Sequence, residues 1–225
     1  MLRWPRWLSF RRAQPPQTPQ TQTPSTTTTP TPTPAKPTGS GSNSSPSPSR
    51  DTFEPGAPVR VNFNRLQGFT PAEREKLQRA AELVERVVNS PEFRKAVLDK
   101  THGGERRFAN AGGMSNEEIY AAILAAKENH TSAADGEIDL DLTLRNFSFF
   151  QRNVVGYTYE STPEITMNRR FFSQYTPAEI AGNMVHEWLH KLGFDHDFRS
   201  TAQRPHSVPY AVGEIVERLA AQQAA

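Results

Sequence analysis

Cysteine is missing from the chain altogether. No disulfide framework can hold it together, a condition compatible with any compartment. Acidic residues are missing from its first fifty positions, where Arg3, Arg6, Arg11, Arg12, Lys36 and Arg50 carry all the charge. The formal net charge of +2 therefore conceals a remainder, residues 51 to 225, with twenty basic and twenty-four acidic residues, a balance of −4. That balance removes the electrostatic reason to expect a nucleic-acid partner for the larger part. Long apolar runs are missing too. Residues 1 to 12 set Trp4 and Trp7 among arginines with no apolar run of seven or more and no small-residue cleavage site, so they form neither a standard secretory signal nor a membrane span. Weak contact with an anionic membrane surface is the partner expectation for this basic-aromatic segment. Residues 13 to 50 are almost entirely Pro, Thr, Gln, Ser and Gly, too poor in apolar surface to offset chain entropy, and are expected to be a disordered linker. The compartment is not fixed by the sequence, with export or secretion favoured over the cytoplasm.

Residues 51 to 225 are long enough for one domain with its own core. Thr70-Pro71-Ala72-Glu73 is a capping box with Pro at the first helical position, opening a helix to about Asn89; Ser90-Pro91-Glu92 restarts it to Leu98, and Ser115-Asn116-Glu117-Glu118 caps another to about Lys127. Val59 to Phe63, Ile138 to Leu144, Val154 to Tyr159 and Ile165 to Phe171 read as strands. Asp135-Gly136-Glu137 reads as a turn before a strand with solvent-facing Asp139 and Asp141, since it lacks the spacing of a calcium loop. Thr176-Pro177-Ala178-Glu179 caps a helix over 177 to 192, and a last helix runs from Tyr210 to Gln222. The order implies an α+β arrangement, a mixed sheet backed by helices.

The chemistry is concentrated in His186-Glu187-Trp188-Leu189-His190-Lys191-Leu192-Gly193-Phe194-Asp195-His196. On a helix, four residues advance about 6 Å and turn about 40°, so His186 and His190 project from one face and can bind one ion. Glu187 stands beside that ion as a base rather than a ligand. Ile180, Met184 and Trp188 form one apolar row and Val185, Leu189 and Leu192 another, leaving His186, Glu187 and His190 on the strip between. A hydrolytic zinc site generally needs three protein ligands and an open position. Gly193 can reverse the chain at positive φ and return His196 as the third. A structural zinc site is disfavoured, because those are usually closed by four ligands including Cys. The three-letter HExxH core would occur by chance in a few per cent of chains this long; with the glycine and third histidine the figure falls to about one in ten thousand.

This string resembles the HExxHxxGxxH zinc signature of the metzincin metallopeptidases. The resemblance implies a metzincin-like catalytic domain with a mixed twisted sheet, a central zinc helix and a C-terminal helix. It also implies one catalytic Zn2+ on His186, His190 and His196, Glu187 as general base, and a peptide or protein substrate. No methionine follows Met184, so the family's methionine turn has no Met here. His206-Ser207-Val208-Pro209-Tyr210 stands in that place, with Val208 at the cushion position and Tyr210 as a candidate oxyanion donor or weak zinc ligand. The sheet's edge strand borders the cleft in that family, a role expected of Ile165 to Asn168. Two other readings keep the same residues: an amide hydrolase on a non-protein, cell-wall type substrate, and a catalytically silent peptide-binding module. A glutamate-ligand site would instead recruit Glu214 or Glu217. A monomer is expected.

Overall fold

The computed structural model describes residues 57–131, 133–151, 154–158 and 162–224. The expectations for residues 1 to 12 and for the linker fall outside these. Capping does what the side chains prescribe. Thr70 and Glu73 bond each other's backbone at the start of α1 (Pro71–Val88), Ser90 caps α2 (Pro91–Leu98), Ser115 and Glu118 close the box of α3 (Asn116–Ala125), and Thr176 and Glu179 that of α5 (Pro177–Lys191). Each box satisfies amides that a helix start otherwise leaves without partners.

Four strands form one mixed sheet in the order β1-β2-β4-β3. β1 (Arg60–Gln67) and β2 (Glu137–Arg145) are parallel, β2 and β4 (Glu164–Asn168) are parallel, and β3 (Gly156–Thr158) runs antiparallel to β4. The mixed sheet with helices agrees with an α+β class. β2 alternates: Ile138, Leu140, Leu142 and Leu144 are buried, and the residues between them are half-buried. Asp139 is therefore not simply solvent-facing, and it accepts a hydrogen bond from Asn62 Nδ2 at 2.9 Å.

Several boundaries depart from the sequence reading. The expected strand over 165 to 171 ends at Asn168, whose Oδ1 accepts from the Arg170 amide at 3.1 Å and starts the short helix α4 (Arg169–Gln174). The strand reading runs on to Phe171; the Asn cap overrides it. The expected edge strand is also corrected. β4 lies between β2 and β3, so among the described residues the outermost strand on that side is β3. α3 stops at Ala125, two residues early, with Ala126 left-handed at φ 46. The last helix, α6 (Val208–Gln223), begins two residues before Tyr210 because Ser207 is extended and Pro209 pre-sets the first turn.

α5 and α6 come into close contact at Gly182 and Gly213. A Cβ on Gly213 would lie 2.9 Å from the Gly182 carbonyl oxygen and 3.2 Å from His186 Cβ. The small residues let α6 come down beside the first histidine. Gly213→Ala is expected to destabilise the protein by about 1 kcal/mol or more, because a backbone carbonyl cannot yield and overpacking outweighs the helix propensity gained. Thermal unfolding measures it; a raised Tm would mean that propensity dominates.

The far side of α5 is pinned by Glu128, buried just after α3. Its Oε1 accepts from Trp188 Nε1 at 2.7 Å and from the Asp139 amide at 3.2 Å. Burial pushes its carboxyl up to about 7, opposed by the hydrogen bond from Trp188. The folded state thus holds this proton more tightly than the unfolded chain does. The stability it confers is complete below the unfolded pKa of about 4.5 and is lost as pH rises through about 7. Relative to the parent, Glu128→Gln is expected to remove a loss of up to about 3 kcal/mol over that window. Urea unfolding at pH 4.5, 6 and 8 checks it; parallel pH curves for the two proteins would contradict it.

Candidate metal centre

α5 is buried along nearly its whole length, with Ile180, Val185, Trp188 and Leu189 fully enclosed. The strip carrying His186, Glu187 and His190 is as the helical period requires. The helix ends in two bonds, Phe194 N–H to Leu189 O at 3.1 Å and Gly193 N–H to His190 O at 3.1 Å, with Gly193 at φ 87. This is a Schellman turn, and its usual apolar contact is supplied by buried Phe194 and Leu189. The chain reverses there and carries His196 back to the helix.

His186, His190 and His196 each present a ligand nitrogen, and the three lie within 4.8 Å of one another. This is the convergence expected from the spacing, and the cluster can hold a metal ion. Each ring also bonds the backbone. His190 Nδ1 is 2.8 Å from Phe194 O, His196 Nδ1 is 3.2 Å from Asp197 O, and His186 bonds the backbone of Pro209. Hydrogen bonds of this kind fix the tautomer and leave the other nitrogen as the lone-pair donor, the arrangement that metal-binding imidazoles adopt. Burial drives His186 well below its ordinary pKa, with His190 and His196 adding like charge; burial takes His190 down to about 4 and lowers His196 as well. Neutral imidazoles are the form that binds metal.

Glu187 is 1 % exposed, and neither of its carboxylate oxygens has a hydrogen-bond partner. Burial pushes it up to about 8, opposed by the charge of Lys191 one turn on. Such a buried carboxyl without donors is costly unless a cation or a proton compensates it. A proton, which burial favours, or a cation held at the adjacent imidazoles would do so. Lys191 is itself fully buried and donates to the carbonyls of Thr162 and Glu164 where β4 begins.

Tyr210, in the first turn of α6, has its ring 4.6 Å from that of His186 and 4.7 Å from that of His196. Its hydroxyl is buried, and burial raises its pKa to about 12, opposed by the charge and hydrogen bonding of Arg204. The structure thus brings together all five residues singled out from the sequence. Glu214 and Glu217, also on α6, do not join the cluster, which among the described residues contains the three histidines alone. Gly182 packs on Glu217 instead.

Three further residues went unnoticed in the sequence. Asn183 lies three before His186 and four before Glu187, on the same strip, with both amide atoms buried and without partners. The helical period could have found it. Asn110, at positive φ 55, donates to Asp197 Oδ1 at 3.1 Å and so ties the loop after Phe108 to the residue following His196. Arg204 packs its guanidinium over the Tyr210 ring, 4.8 Å from the centroid. Neither residue carries a local sequence signal.

No helix among the described residues is long and apolar enough to cross a membrane. Comparison with known proteins gives no match to a family model, a curated protein or a solved structure.

Proposed function

We propose that this chain is a zinc-dependent, metzincin-like metallopeptidase. The observation that carries the proposal is the convergence of three imidazole nitrogens within 4.8 Å beside a buried glutamate whose oxygens have no partner. Zinc suits a tri-histidine set with a neighbouring carboxylate, and when bound it supplies a Lewis acid that polarises the scissile carbonyl and activates water near neutral pH.

The chain's own groups divide the remaining work. His186, His190 and His196 stay neutral and are aimed by their backbone bonds. Glu187 takes the proton of the attacking water and hands it to the leaving amine. Tyr210, neutral at any ordinary pH, is placed to donate to the developing oxyanion. Among the described residues β3 is the outermost strand beside β4, and an extended peptide can align with the sheet there through its main chain. That alignment favours a peptide over a non-protein amide.

A cleavage profile on a mixed peptide library, taken beside metal analysis, tests the proposal. One zinc per chain with cuts that a chelator abolishes and zinc restores is expected. A fully zinc-loaded protein that leaves every peptide intact would defeat it.

A further inference from the structure

Arg204 is 6 % exposed. Its Nε and Nη2 are buried without hydrogen-bond partners, and the described residues give it no ion pair. The acid closest to it in the chain is committed elsewhere: Asp197 accepts from Asn110 through Oδ1 and from Thr201 through Oδ2. The Arg204 amide is held by Thr201 Oγ1 at 3.2 Å, and its carbonyl accepts from Ser207 Oγ at 2.7 Å. The backbone is thus fixed, and Asp197 acts on the guanidinium through its charge alone, without a direct ion pair among the described residues. A buried guanidinium with two donors left unsatisfied is expensive, and more so beside three imidazoles that can hold a dication. A residue whose task was packing would be served at less cost by an apolar side chain.

Nε–H and Nη2–H form one edge of the planar guanidinium, two parallel donors whose spacing matches the two oxygens of a carboxylate. The group lies 4.8 Å from the Tyr210 centroid, and that ring lies 4.7 Å from His196. Two such steps cover no more than about three residues of extended peptide. We infer that Arg204 makes this site selective for peptides bearing a carboxylate within a few residues of the scissile bond, as an acidic side chain or as the chain's own C-terminus. The inference rests on the peptidase reading. It adds a substrate class that the metal-binding residues do not specify.

Matched peptides test it on the zinc-loaded full chain: Asp against Asn at each position flanking a cut found in the library, and free acid against amide at the C-terminus. A hydrogen-bonded charge pair discriminates by about 10- to 100-fold. The parent is expected to prefer the carboxylate member of one pair at least about tenfold in kcat/KM, Arg204→Gln to bring that ratio to about one, and Arg204→Lys to fall between. The ratio within each variant does not depend on how much of it folds. The Asp/Asn pair and the acid/amide pair tell the two sources apart. A parent ratio near one, or a ratio that survives in Arg204→Gln while both rates drop together, would overturn the inference and assign Arg204 a general role. Should the parent cut no peptide, the peptidase reading alone fails, and the same pairs are measured for binding by calorimetry. Carboxylate preference lost in Arg204→Gln then sustains the inference; equal binding of both members defeats it.

Discussion

Glu187→Ala is expected to keep close to one zinc per chain while losing about 10² to 10⁴ of its turnover, the range for a general base. The two effects separate because the carboxylate stands next to the three imidazoles without belonging to their cluster. Removing it leaves every ligand and every backbone bond of the histidines in place. It also removes a buried, partnerless carboxyl, so the variant should be no less stable than the parent without metal. Metal analysis and peptide turnover on one preparation decide it. Equal turnover in the two proteins would take Glu187 out of the mechanism, and loss of zinc together with activity would make it a ligand.

The second large effect concerns the third ligand. His196→Ala is expected to weaken zinc binding by orders of magnitude, whereas Glu214→Ala and Glu217→Ala should leave it nearly unchanged. Gly193→Val should resemble the histidine variant in part. Gly193 sits at φ 87, where a β-branched residue is strained, and the Schellman turn it makes both reverses the chain and places the Phe194 carbonyl that orients His190. Competitive titration against a chromophoric chelator measures all four. Tight binding by His196→Ala with loss in a glutamate variant would overturn the tri-histidine assignment.

What the sequence could and could not reveal follows from the range of each interaction. Capping boxes at Thr70, Ser115 and Thr176 are decided within four residues, and they stand where the residues put them. The metal strip is equally local, since helical period and a glycine turn suffice to bring His186, Glu187, His190 and His196 together. Asn168 shows local signals in conflict, a cap residue against the apolar Phe171 and Phe172 that follow it. The outermost place of β3 among the described strands depends on strand order, which a three-residue strand announces poorly. Arg204 was beyond reach: its meaning lies in the partners it lacks after folding, and composition around it points only to a polar loop.

The central claim is that one zinc ion is held by three imidazoles with Glu187 outside the coordination. X-ray absorption at the zinc edge tests it most directly, on the parent and on Glu187→Ala. The account predicts three imidazole nitrogens at about 2.0 to 2.1 Å in both proteins. Two imidazoles with a carboxylate, or a nitrogen count that changes when Glu187 is removed, would contradict it.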